Sequence, residues 1–181
     1  MQSREMRDVP RIGVVLGSTS DFQAVQDALS VFDEFEVKYD VAVISAHRTP
    51  DLLRRYVLEA PGRGVAVILA VAGLSAALPG MLSAYTSLPV IGLPVQVGPF
   101  GGVDALISMV EMPPGVPVAA TGIGAAKNAA LCCLRIVALL DPMLRKRLEE
   151  YRETMNREGE ERLSFPESLG IPAWKPSDES R

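Results

Sequence analysis

The sequence predicts an α/β protein, a three-layer sandwich in which helices cover both faces of a parallel sheet and a helical extension follows at the C-terminus. Three observations carry that expectation. Short β-branched runs alternate with segments of helical periodicity along residues 11–140. The run Val65-Ala66-Val67-Ile68-Leu69-Ala70 is apolar without alternation, which suits a strand covered on both sides. Beyond Asp141 the chain turns strongly charged, yet Met143, Leu144, Leu148, Tyr151 and Met155 keep a helical stripe.

The elements follow in order. Arg11 to Leu16 reads as a strand, ended by Gly17-Ser18-Thr19-Ser20-Asp21. Phe22 to Phe32 carries Val25, Ala28, Leu29 and Phe32 at helical spacing. Val37 to Ser45 is a second strand. Thr49-Pro50-Asp51 then starts a helix, with Thr49 as cap and Pro50 at the first helical position. That helix runs to Ala60 and breaks at Pro61-Gly62-Arg63-Gly64. Val65 to Val71 is the third strand, 78–85 a short helix, 90–95 the fourth strand, 103–110 a helix and 116–120 the fifth strand. Right-handed crossovers between such strands favour a flavodoxin-like arrangement. Ala125 to Leu140 is apolar nearly all round, broken only by Lys127, Asn128 and Arg135, and reads as a core helix that also meets another subunit. The expected organisation is an N-terminal arm over 1–10, a catalytic domain over 11–140, and a C-terminal helix with an extended, Pro- and Ser-rich tail over 141–181.

Composition excludes several classes. The chain has 181 residues, 48% of them apolar and 22% charged, enough to bury a core without metal or disulfide staples. A net charge of -4 argues against nucleic acid, which needs a broad basic surface. A small anion remains compatible, since a few local donors hold one phosphate. Cys132 and Cys133 are adjacent and point apart on a helix, so neither a disulfide nor zinc is expected. The start, Met1 to Arg11, is polar and mixed in charge without the apolar core of a signal peptide, no apolar run is long enough to span a membrane, and a cytoplasmic location is expected.

In an open parallel sheet, ligands bind beyond the carboxyl ends of the strands. Four turns are expected on that edge: Gly17 to Asp21, Ser45 to Pro50, Ala72 to Ala76 and Leu93 to Gln96. They bring Ser18, Asp21, His47, Arg48 and Ser75 toward one cleft. The hydroxyls and backbone N–H groups of Gly17-Ser18-Thr19-Ser20 could hold a phosphate; capping by Ser20 or Asp21 is the plainer reading. His47 is the sole histidine of the chain and sits at a strand end beside Arg48. An imidazole can both donate and accept a proton near neutral pH. The Arg48 guanidinium suits a phosphate or carboxylate. Asp21 could orient a ribose, hold a substrate amine or tune His47, or simply cap the helix. Lys127 and Asn128, at the start of the apolar helix, could cap it or reach a neighbouring site.

Residues 11–142 resemble the PurE family of aminoimidazole ribonucleotide carboxylases and carboxyaminoimidazole ribonucleotide mutases. The motifs that carry the resemblance are Gly17-Ser18-Thr19-Ser20-Asp21, Ser45-Ala46-His47-Arg48-Thr49-Pro50, Ala76-Ala77-Leu78-Pro79-Gly80-Met81, 88–95, 112–118 and Asn128-Ala129-Ala130-Leu131. The charged helix after Asp141 resembles the family's C-terminal extension. The resemblance implies a flavodoxin-like fold and a homo-octamer with no metal and no organic cofactor. It also implies a small phosphoribosyl-imidazole substrate and no nucleic-acid or membrane partner. It implies carboxyl transfer from an exocyclic nitrogen to ring carbon 4 in purine (IMP) biosynthesis, or direct carboxylation of that carbon with carbon dioxide. By the same resemblance His47 is the general acid/base, and Ser18, Asp21 and Arg48 contact substrate. Ser20, Ser45, Gly73 and Ser75 complete the expected site. The third turn departs from the mutase pattern Gly-Gly-Ala-Ala-His-Leu-Pro-Gly: here it is Gly73-Leu74-Ser75-Ala76-Ala77-Leu78-Pro79-Gly80, with Ala77 in place of a second histidine. Ser75 matches the Gly-Arg-Ser-Asn-Ala-Leu pattern of the carbon dioxide-using class while Leu74 and Ala76 do not, Lys127-Asn128-Ala129-Ala130-Leu131 is closer to that class, and Phe22 replaces the usual tryptophan.

Two readings of other classes compete. A non-enzymatic flavin or nucleotide-binding module fits the Gly17 to Ser20 loop, though the later turns lack an aromatic pair to sandwich a flavin. A phospho-receiver domain needs an acidic residue at a central strand end, where this chain carries Ser45, Val71 and Val95.

Overall fold

A computed structural model describes residues 11–175. Its elements are β1 (Arg11–Leu16), α1 (Phe22–Glu34), β2 (Tyr39–Val43), α2 (Pro50–Glu59), β3 (Val65–Ala72), α3 (Ala77–Ala84), β4 (Val90–Pro94), α4 (Val103–Val110), β5 (Ala119–Ala120), α5 (Ala126–Val137), α6 (Pro142–Glu161) and α7 (Phe165–Ser168). The arm expected over 1–10 lies outside the described residues.

The strands form one sheet in the order β2-β1-β3-β4-β5, every neighbouring pair parallel. This is the flavodoxin-like order, and its direction reverses between β1 and β3, where a crevice opens at the carboxyl edge. The apolar run of β3 sits at the centre of the sheet, with Val67, Ile68, Leu69, Ala70 and Val71 fully buried. One face of the sheet is covered by α1 and α5, which also pack on each other. The other face carries α2, α3 and α4, whose Leu53, Val57, Leu78, Leu82, Ala105 and Met109 share a core with Val15, Ile68 and Ala70.

Gly13 shows why a glycine stands inside a central strand. A Cβ there would lie 2.6 Å from the Tyr56 hydroxyl. That hydroxyl donates to Asp40 Oδ1 at 2.8 Å, and Arg63 lies over the Tyr56 ring at 4.5 Å. Arg63 Nε also stands 3.6 Å from Asp40 Oδ2. The small residue on β1 thus makes room for a polar cluster that ties α2 to the edge strand β2.

The two outer strands are shorter than the sequence predicts. β2 starts at Tyr39 because Val37 N–H is spent on the Phe32 carbonyl, closing the end of α1. β5 shrinks from 116–120 to two residues. Pro117 lacks an N–H for the ladder, and the Val116 N–H turns back to Pro113. In α5, Ala126, Ala129, Ala130, Cys133, Leu134 and Val137 are buried, as a core helix requires. Burial pushes the Cys133 thiol well above its ordinary range, which suits packing rather than reactivity. Leu139 and Leu140, just past the helix, are exposed.

Asp141 caps α6, its Oδ1 accepting from Met143 N–H at 2.9 Å and Leu144 N–H at 3.1 Å. Residues 145–175 form a separate compact unit. The tail there is not the extended arm expected: a tight turn at Arg162–Ser164 leads into α7. Ser164 and Ser168 hydroxyls bond back to the Glu161 and Phe165 carbonyls, and Pro166 fits the first turn of a helix. Among the described residues no helix or strand follows α7, and Trp174 is exposed.

Candidate active site

The parallel ladder continues past the strands and sets the site loops in place. Gly17 N–H donates to Val71 O at 3.0 Å, Ile44 N–H to Leu16 O at 2.9 Å, and Val95 N–H to Ala72 O at 2.9 Å. The turns after β1, β2, β3 and β4 therefore leave the sheet side by side at its carboxyl edge. Between them lies a cavity of about 690 Å³. Gly17, Ser18, Ser20, Asp21, Ser45, Ala46, His47, Arg48, Gly73, Ser75 and Ala77 are among its lining residues. Every site residue expected from the sequence thus falls on one cavity, of a size that fits a small-molecule ligand.

The first turn is organised by Ser18 and Asp21. Ser18 Oγ accepts from Ser20 N–H at 3.4 Å and Ser20 Oγ at 3.0 Å, and Asp21 Oδ2 accepts from Ser18 N–H at 2.9 Å. The cap is therefore Ser18, with Asp21 answering it, rather than Ser20 or Asp21 alone. This arrangement also occupies several of the loop's amides. The N–H groups of Gly17, Ser18, Ser20 and Asp21 are all engaged within the fold.

Asp21 is the one buried charged side chain among the described residues, 6% exposed. Burial holds its carboxyl above the ordinary carboxylate range, while the Ser18 N–H pulls the other way. A raised carboxyl binds its proton more tightly in the folded state. Its stabilising contribution is present at acid pH and is lost as pH rises through the folded value. Asp21→Asn keeps an oxygen for the Ser18 N–H and removes the buried charge. The variant is expected to melt higher than the parent at neutral pH, with the gap closing as pH falls through the carboxylate range. Thermal unfolding across pH checks this, and a variant that melts lower at neutral pH contradicts it.

The second turn is held by Ser45. Its Oγ accepts from Arg48 N–H at 3.3 Å, and its carbonyl accepts from Thr49 N–H at 2.9 Å and Thr49 Oγ1 at 3.0 Å. Thr49 occupies the position before α2 as expected, yet its hydroxyl bonds backward instead of capping the helix. These backbone bonds present His47 and Arg48 at the rim, both exposed.

The third turn is tight and largely apolar. Leu74 has φ 54, a left-handed conformation unusual for a bulky residue. The turn meets the loop after β4, which extends beyond the expected limit at Gln96. Gln96 is exposed and not among the lining residues; Val97 and Gly98 line the cavity instead. The signal for them is Gly98 itself, two residues beyond the expected turn, with φ 73. Leu74 and Leu78 also line the cavity and are absent from the site expected on sequence grounds. Lys127 and Asn128 are exposed at the start of α5, make no side-chain cap and do not line the cavity.

The chain is similar to known proteins over most of its length. The model of the AIR carboxylase family matches residues 11–158. A Pyrococcus abyssi protein named N5-carboxyaminoimidazole ribonucleotide mutase is 47% identical over 162 residues, covering 90% of this chain and 93% of its own length. A Bacillus subtilis protein of the same name is 48% identical over 146 residues, covering 80% and 90%. The crystal structure of Treponema denticola PurE superposes with a TM-score of 0.79 at 27% identity, covering 86% of this chain and 97% of that one.

Proposed function

The chain belongs to the AIR carboxylase family, and on that footing we propose that it is a carboxyaminoimidazole ribonucleotide mutase, an isomerase of purine biosynthesis. The observation that carries the reading is the convergence of His47, Arg48, Ser18, Ser20, Asp21 and Ser45 on one cavity that the largely apolar third turn also lines. The site has a polar half suited to a phosphoribosyl group and an apolar half suited to a small uncharged molecule.

The chemistry follows from that division. The substrate carries a carboxylate on its exocyclic nitrogen. His47 delivers a proton to that nitrogen as the N–C bond breaks, its electron pair returning to nitrogen and carbon dioxide leaving. Ring carbon 4 then attacks the carbon dioxide, forming the C–C bond, and its hydrogen departs as a proton to His47. One proton is given and one recovered, so the reaction is a net isomerisation with no oxidant or reductant. Arg48 and the hydroxyls of Ser18, Ser20 and Ser45 hold the anionic nucleotide, and Asp21 faces the substrate amine or ribose. Gly73 and Ser75 bound the space where carbon dioxide waits. Ala77 cannot transfer a proton, so the burden rests on His47.

The mutase name of relatives 42–48% identical favours transfer over direct carboxylation. Supplying the nitrogen-carboxylated substrate alone, and separately aminoimidazole ribonucleotide with bicarbonate, separates the two by product absorbance. Rapid product from the first supports the mutase. Product from the second alone replaces it with a carboxylase, and product from neither removes both. The same family footing supports a homo-octamer acting in the cytoplasm. Consistent with subunit contacts, α4 presents Val103, Ile107 and Val110 at 48–52% exposure on one stripe, beside Phe100 at 68%. No helix among the described residues is long and apolar enough to cross a membrane.

A further inference from the structure

The turns after β3 and β4 interlock through two reciprocal contacts between a glycine and an apolar side chain. A Cβ on Gly73 would collide with the Val97 side chain, and one on Gly98 would lie 2.7 Å from Leu74 Cδ2. Val97 therefore seats over Gly73, and Leu74 over Gly98. Both turns are tight: Ala76 N–H donates to Leu74 O at 2.8 Å, and Val97 N–H to Val95 O at 3.0 Å. Leu74 is held in a left-handed conformation at φ 54, which the surrounding turn must impose on a bulky side chain. Leu74 lines the cavity and is still 52% exposed, so it stands at the mouth rather than on the floor. Nothing in the core needs that side chain, since half of it meets solvent.

We propose that Leu74, clasped with Gly98 across the mouth of the cavity, is a positioning residue that retains the freed carbon dioxide until ring carbon 4 captures it. The inference rests on the mutase reading above. Carbon dioxide is small and uncharged, so no salt bridge or strong hydrogen bond can hold it. It is kept by closing an apolar wall around it and excluding water. The clasp supplies such a wall through Leu74 and Val97, both of which line the cavity. Its close seat on Gly98, where a Cβ would lie 2.7 Å from Leu74 Cδ2, holds the isobutyl group against the facing turn.

The test measures partitioning. The purified full chain is given the nitrogen-carboxylated substrate in ¹³C-bicarbonate, and three quantities are followed: carbon-carboxylated product, free aminoimidazole ribonucleotide above the spontaneous background, and label in the product. Leu74→Gly removes the cover and relaxes the backbone, so it is expected to melt no lower than the parent. Leu74→Ala keeps the backbone constraint and removes only the group that reaches Gly98. Both variants are expected to release several-fold more free amine per product formed and to carry several-fold more label. Unchanged partition and label in both overturns the proposal. Leakage in Leu74→Gly but not in Leu74→Ala also overturns it, because the effect then belongs to the turn backbone. A folded variant that forms neither compound overturns it too, as Leu74 would then be needed for the chemistry itself. If the parent does not convert the substrate, the mutase reading fails and takes this inference with it. Normal conversion by the parent with unaltered variants removes the clasp alone.

Discussion

Replacing His47 with asparagine is expected to lower turnover by about 10²–10⁴-fold, the usual range for losing a positioned general acid–base group. The fold should survive. His47 is exposed at the rim, and the turn that carries it is held by bonds that Ser45 accepts from the backbone and hydroxyl of Thr49 and the backbone of Arg48. Asparagine is close in size and can still hydrogen-bond, so substrate should bind nearly as well. The loss belongs in kcat, because a proton must move both in breaking the N–C bond and in completing the C–C bond. Ala77 stands where a second histidine could have shared the task. Initial rates by product absorbance, with circular dichroism to check folding, decide the point. A variant within ten-fold of the parent would falsify the assignment.

The second large effect is expected at Arg48. Removing its guanidinium by Arg48→Ala takes away a charged hydrogen-bond donor worth about 1.5–3 kcal/mol, which is roughly ten- to more than a hundred-fold in KM. Arg48→Lys should recover only part of this, because an ammonium cannot offer the planar fork that matches a phosphate or carboxylate. The effect should fall on KM more than kcat if Arg48 grips a part of the substrate that does not react. A drop confined to kcat would instead place Arg48 at the reacting centre. Equal KM for parent and alanine variant would remove it from the binding site altogether.

The two substitutions differ for a physical reason. In the proposed mechanism His47 would act through a proton that moves only during reaction, whereas Arg48 would act through a charge that is present before and after. Leu74, in the role proposed for it, would act in a third way, on a neutral intermediate that neither charge nor proton transfer can hold.

Much of the site is legible in the sequence alone. Ser18, Asp21, His47 and Arg48 lie near strand ends, and a parallel sheet gathers strand ends at one edge. That rule alone brings together residues from 18 to 75 in the sequence. The outer strands are less legible, since β2 and β5 are shortened by local competition for backbone hydrogen bonds. The tail departs from the expected extended arm because its Pro and Ser residues serve a short helix: Pro166 sits in the first turn, and serine hydroxyls bond back to carbonyls. The fourth turn runs past Gln96, so Val97 and Gly98 fall outside the expected site although they line the cavity.

By itself the sequence determined the alternation of strand and helix, the buried central strand and the chemical kinds of group at each turn. Those features are set by periodicity and by the residue at each strand end, which are local properties. Only the tertiary structure decided which amides were already engaged, how Asp21 came to be buried, and that Leu74 and Val97 lock against glycines in facing turns. Each of these depends on atoms brought within a few ångströms by different strands, and no local pattern encodes a distance across the sheet edge.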